Sequence, residues 1–181
     1  MPELPEVEIV KQSLEKNVQY KRILKVIVSN RNLRFGLKKN FEQNLENKKI
    51  LNISRKAKYI ILELSGNTFL VVHFGMSGTL HIIKKKKNKR TNLSFYHSPT
   101  IPLKHNHIEI LFSNFKIVYN DPRRFGFFKY FKFKSNLDFY LSKNGLDPLD
   151  KKFDFQYIKN KLKNRNKNIK NILLDQKIIS G

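Results

Sequence analysis

Ala57-Lys58-Tyr59-Ile60-Ile61-Leu62-Glu63-Leu64-Ser65-Gly66-Asn67-Thr68-Phe69-Leu70-Val71-Val72-His73-Phe74 is the stretch from which the fold is read. Two runs rich in β-branched and aromatic residues flank Ser65-Gly66-Asn67, a turn signal, so the stretch predicts a β-hairpin. Similar short runs lie on either side. Upstream are Arg22–Ser29 and Ile50–Arg55. Downstream are Thr79–Ile83, His107–Phe112, Phe115–Tyr119 and Gly126–Phe133, with Ser113-Asn114 as a second tight connection. About eight closely spaced strands predict an antiparallel β-sandwich. Ahead of them, Val7, Val10, Leu14 and Val18 are spaced three, four and four, which predicts one helix from Pro5 to about Val18 with an apolar stripe. The fold class expected is therefore α+β, a sandwich flanked by an N-terminal helix.

After about Lys134 the pattern changes. Asn136–Ser142 reads as a short helix, Gly145-Leu146-Asp147-Pro148-Leu149 as a break, Asp154–Leu162 as a helix and Ile169–Gln176 as the start of another. A boundary in this region divides the chain into a catalytic sandwich at 1–134 and a helical unit at 135–181.

Composition narrows the function. The 181 residues include 15 Phe and 7 Tyr, enough for a sizeable core, and carry a formal net charge of +23. That charge points to a polyanionic partner, nucleic acid by default. The chain is also heavy in Lys, Asn and Ile, a bias typical of AT-rich coding, so part of the charge belongs on solvated faces. The run Lys84–Arg90 reads as such a loop, adding nonspecific phosphate attraction, and Thr91–Leu103 as a loop without an assigned role. Absence of cysteine excludes disulfides and Cys-ligated metal, and fits a reducing cytoplasm. The N-terminus has no apolar signal core, and no apolar run approaches the length of a membrane span.

The chemistry is concentrated at Met1-Pro2-Glu3-Leu4-Pro5-Glu6-Val7-Glu8. Removal of Met1 leaves Pro2 with a free secondary amine, and an α-amino group has a pKa near about 7.7–8.0. Attack of that amine on a sugar aldehyde carbon gives an iminium with no N–H to lose, a cationic electron sink. Glu3 and Glu6 stand within reach to move protons. By itself the stretch also suits a helix start, with Pro5 in the first turn and carboxylates at the positive end of the dipole.

The octapeptide resembles the N-terminus of the formamidopyrimidine-DNA glycosylases, bacterial repair enzymes. His73-Phe74-Gly75-Met76-Ser77-Gly78 and Asp121-Pro122-Arg123-Arg124-Phe125-Gly126 resemble two further motifs of that family, in the family's order. The resemblance implies a bifunctional glycosylase and abasic-site lyase of base excision repair, acting on oxidised purines such as formamidopyrimidines and 8-oxoguanine. Pro2 would be the Schiff-base nucleophile, Glu3 the general acid/base and Lys58, in Arg55-Lys56-Ala57-Lys58-Tyr59, a proton donor in strand cleavage. Glu6 and His73 would be supporting residues. Met76 would enter the stack vacated by a flipped base, Arg123 would face the orphaned base, Phe125 would wedge beside it and Arg124 would hold phosphate. His105 would contact DNA, as would Arg165, with Lys170 supporting. The pair His105 and His107 lacks an evident third ligand, so no metal site is expected. The partner implied is double-stranded DNA with a damaged base, bound by a monomer without membrane association.

Two rival readings remain. The endonuclease VIII branch takes oxidised pyrimidines on the same scaffold, but that branch usually has glycine where this chain has Leu4. The other rival is a noncatalytic basic DNA-binding fragment. The family also has more chain: the remainder of a helix–two-turn–helix clamp and a Cys-rich zinc finger, expected past Gly181. No cofactor is therefore expected within this chain, DNA affinity is expected to be weakened, and the segment after about Pro148 is expected to be loosely held.

Overall fold

A computed structural model describes residues 2–84, 90–92 and 103–181. Most of the Lys84–Arg90 run, and 93–102 of the following loop, lie outside the described residues.

Helix α1 spans Leu4–Val18, and the stripe Val7, Val10, Leu14 and Val18 is buried as its spacing predicts. Full burial of each such side chain contributes about 2 kcal/mol. The strands are β1 (Lys25–Val28), β2 (Ile50–Lys56), β3 (Tyr59–Leu64), β4 (Thr68–His73), β5 (Thr79–Lys84), β6 (Arg90–Asn92), β7 (Asn106–Leu111), β8 (Phe115–Asn120) and β9 (Phe127–Phe131). They form two antiparallel sheets, β1-β7-β8-β5-β6 and β2-β3-β4-β9. The α+β sandwich is as expected. Two short elements were not: helix α2 (Phe41–Leu45), which buries Phe41 and Leu45, and β6, which pairs with β5.

The main core lies between the sheets and under α1, from Val7 through Leu62, Leu70 and Ile108 to Phe128. The outer face of the second sheet is covered by α3 (Lys134–Leu141), whose Leu137 and Leu141 pack with Ile61, Phe69, Val71 and Phe131. Beyond it come α4 (Phe155–Leu162), capped by Asp154 accepting from Tyr157 N–H, and α5 (Ile169–Leu173).

The tail is better tied than the sequence suggests. Leu146 bridges Ile179, Gly145 N–H donates to Gln176 O at 2.9 Å, and Tyr157 Oη donates to Ile178 O at 2.7 Å. Ile178 is 1% exposed, and Ile172 and Ser180 are also buried. Around this closure, Leu149, Phe155, Ile169 and Leu174 remain exposed. The chain returns on the 145–148 segment and meets α1, so the ordering comes from main-chain bonds and a few buried side chains.

Candidate active site

Register across the second sheet decides which groups meet. Tyr59 pairs with His73, and His73 pairs with Phe127, so three neighbouring strand ends lie side by side. Lys58 immediately precedes the first, Gly75 and Met76 follow the second, and Phe125 and Gly126 precede the third. The aromatic rings mark this edge. His73 stacks on Phe127 at 5.2 Å and lies 5.1 Å from Tyr59, and Phe127 meets Phe35 edge-on at 4.9 Å.

Lys58 does not open a strand, as its position beside an apolar run suggests. It occupies the second position of the two-residue turn between Lys56 and Tyr59, where Ala57 takes φ 54°. That left-handed residue folds the hairpin tightly and turns Lys58 inward. The lysine is 6% exposed, and its Nζ meets Glu3 Oε2 at 2.5 Å. Glu3 is the N-cap of α1, with Pro2 just ahead of it. Glu6, one turn into the helix, accepts from Glu3 N–H at 2.7 Å and fixes that start. Pro2, Glu3, Glu6 and Lys58 therefore form one cluster.

A second interaction holds this cluster in place and was not anticipated. The Arg55 side chain, 8% exposed, donates from Nε to Glu8 at 2.9 Å and from Nη1 to Asp147 at 2.6 Å and to Ala57 O at 2.9 Å. Asp147 also accepts from Ala57 N–H at 3.3 Å. Burial pushes the Glu8 carboxyl up, but hydrogen bonds from Arg55, Gln12 and Lys11 outweigh it and leave it below the usual range. One guanidinium thus joins the helix, the lysine turn and the 145–148 segment. Both acidic partners were visible, Glu8 in the terminal motif and Asp147 in the break, yet nothing local joins residues so far apart in sequence.

His73 links the cluster to the loops. Its Nδ1 accepts from Gly75 N–H at 3.0 Å, so the ring proton of the neutral form sits on Nε2. Burial, then the charges of Arg34 and Lys58, push the imidazole down to about 4. Gly75 takes φ 61°, and a Cβ there would stand 2.3 Å from Phe125 C. At Gly126 a Cβ would stand 1.8 Å from Tyr119 Oη. The glycines of the two motifs therefore let the loops lie backbone to backbone. Met76 and Phe125 project from them, 44% and 43% exposed. The Arg123 guanidinium lies 4.7 Å from the Phe125 ring centre. Arg123, Arg124 and Phe125, with Asn32 and Arg34, line an open hollow of about 590 Å³. Arg34 was missed in the sequence, because residues 29–40 have no periodic pattern to place it.

The remaining expected residues lie apart from the cluster. His105 is in a 3₁₀ turn (Leu103–His105), and its carbonyl accepts from Asp121 N–H at 3.0 Å, beside the Arg123 turn. His107 is buried in β7, its Nε2 2.8 Å from Asp121 O. Among the described residues, no group of three or more His, Cys, Asp or Glu could hold a metal. Arg165 and Lys170 are exposed on the α4–α5 connection and the start of α5. No ion pair or side-chain hydrogen bond among the described residues joins them to Pro2 or Lys58. No described helix is long and apolar enough to cross a membrane.

The fold and site define a class: α+β sandwiches in which a proline-led helix start, a hairpin lysine and two glycine-locked loops meet at one sheet end. Residues 1–128 match the formamidopyrimidine-DNA glycosylase N-terminal domain, and the chain belongs to that family. The formamidopyrimidine-DNA glycosylases of Wolbachia pipientis wMel and Rickettsia bellii (strain OSU 85-389) are 40% and 36% identical over 182 residues. Each match takes in 100% of this chain and 62% of the relative, so the chain spans less than two thirds of their length. Among solved structures, Lactococcus lactis Fpg with DNA containing N7-benzyl-Fapy-dG superposes with a TM-score of 0.84 at 28% identity, over 99% of this chain and 62% of that one. The same protein with DNA containing an abasic site gives 0.83.

Proposed function

We propose that this chain carries the catalytic centre of a base-excision-repair DNA glycosylase that removes oxidised purines and then cleaves the strand. The observation that carries the reading is the Lys58–Glu3 ion pair at the start of α1, which sets a carboxylate and an ammonium beside Pro2. With Met1 removed, the Pro2 nitrogen lone pair attacks C1′, the bond from C1′ to the base breaks, and the base leaves with that electron pair and takes up the proton the Pro2 nitrogen sheds. Glu3 passes a proton from the paired Lys58 ammonium to the ring oxygen as the sugar opens, leaving the iminium. The iminium acidifies C2′; the Glu3 carboxylate takes the C2′ proton and returns it to Lys58, the C3′–O bond breaks, and Lys58 gives the proton to the departing 3′ phosphate.

Met76, Arg123 and Phe125 fill the space of the flipped nucleotide, and Arg124 and His105 hold the backbone. His73 and Glu6 keep the loop and helix start in place. Arg165 and Lys170 add backbone contacts from 135–181, the beginning of a helical DNA-binding unit after the sandwich of 1–134. The partner is double-stranded DNA, met by a monomer in the bacterial cytoplasm. Support comes from the family match, from the damaged and abasic DNA in the similar complexes, and from the net charge of +23.

Borohydride trapping on a duplex with one abasic site, at low salt, tests this. The expected result is a covalent adduct that a Pro2→Ala variant loses only in part if its own terminal amine reacts, and that a retained N-terminal tag abolishes. A tagged chain that still traps would refute Pro2 as nucleophile. DNA binding with no adduct from the untagged chain would leave a noncatalytic binding module.

A further inference from the structure

Asp121 is fully buried and has no cationic partner among the described residues. Burying a carboxylate in this way is costly unless its oxygens are filled by donors. Here they are. Oδ1 accepts from Ser77 Oγ at 2.5 Å and from Arg123 N–H at 3.2 Å, and Oδ2 accepts from Tyr119 Oη at 2.9 Å and from Gly126 N–H at 2.9 Å. Ser77 Oγ also accepts from Arg123 N–H at 3.2 Å. Burial, then the Asp121 charge beside it, push the Tyr119 hydroxyl far above its ordinary range, so it stays a donor.

The donors belong to two different loops. Ser77 follows Met76, while Arg123 and Gly126 flank Phe125. The glycine contacts already close these loops backbone to backbone, so the fold has that junction without a carboxylate. What Asp121 adds is aim: it ties the residue next to Met76 to the residues on both sides of Phe125.

We propose that Asp121 is a positioning residue that locks the Met76 loop and the Arg123–Phe125 turn into one rigid wedge for a distorted duplex. This inference rests on the glycosylase reading. A gap left by one flipped nucleotide is about 3.4 Å tall along the strand. Side chains from separate loops enter it together only if their spacing is set beforehand. An Asn at this position keeps the shape but turns one acceptor into an NH₂ that faces donors.

The chain has no cysteine, so pairs of spin labels can be placed cleanly at Met76→Cys and Arg124→Cys. Pulsed electron resonance should give one narrow distance distribution. In the Asp121→Asn or Ser77→Ala background it should widen at least twofold. Ser77→Ala serves if Asp121→Asn does not fold. In parallel, without labels, both variants should lose at least tenfold more in excision of a formamidopyrimidine from duplex DNA than in trapping on a preformed abasic site. A merely structural role would lower the two together. Unchanged label distances, or parallel losses, overturn the proposal. A wild-type chain that neither excises nor traps instead overturns the glycosylase reading, and the label distances then decide the rigid-wedge claim alone.

Discussion

Acidification probes the setting of His73 directly. Its imidazole is held at about 4 against an ordinary 6.5, first by burial and then by the Arg34 and Lys58 charges. The fall from 6.5 to about 4 corresponds to about 3 kcal/mol. The sign follows from which state takes the proton first. As pH falls below 6.5 the unfolded chain protonates His73 while the folded chain does not, so folding loses stability. The contribution is fully present above pH 6.5, declines by about 1.4 kcal/mol per pH unit, and is gone below about pH 4. Protonation also removes the acceptor of Gly75 N–H, so acid loosens the Met76 loop.

The assay is urea unfolding of the chain and of His73→Gln at pH 7, 5.5 and 4. The variant retains the other four histidines and all carboxylates, so the difference between the two curves isolates His73 if the effects add. That difference should change by about 3 kcal/mol between pH 7 and 4, and the His73 Hε1 resonance should titrate near pH 4. A midpoint near 6.5, or parallel curves, would refute the account of a buried imidazole between two cations.

Other outcomes follow from the geometry. Gly126→Ala places a methyl 1.8 Å from Tyr119 Oη and 2.7 Å from His73 O, so it should cost about 1–3 kcal/mol or shift the loop, read as a lowered urea midpoint with lost abasic-site trapping. Arg55→Met strands Glu8 and Asp147 and should cost about 3 kcal/mol, with faster proteolytic cutting near residues 147–150. Ile178→Ala should cost about 2–4 kcal/mol if the tail is packed as described, and almost nothing if it is loose; thermal unfolding separates the two.

Much of the fold could be read from period alone. The Val7–Val18 stripe, the Ser65-Gly66-Asn67 hairpin and the Ser113-Asn114 connection involve neighbours in sequence, and local rules decide them. Helix α2 has five residues, too few for a 3.6-residue period to emerge. Within the candidate site, Pro2, Glu3, Met76 and Arg123 could be singled out because each sits in a compact motif. The inward turn of Lys58 was not, since it depends on a left-handed Ala57 and on a carboxylate 55 residues earlier. Arg55 and Asp121 escaped for the same reason: an arginine at the end of a strand and an aspartate before a proline look like surface residues until the chain closes around them.

The return of the tail has a practical side. The space a Cβ would take at Gly181 lies 2.7 Å from Leu4 Cδ1, two residues from Pro2. Residue 181 and the start of α1 therefore open onto the same doorway. Any group attached at residue 181 would start beside the Pro2 amine. Handles for purification or surface attachment belong on a distant exposed position, such as a single cysteine introduced at Lys25 on the edge strand of the other sheet.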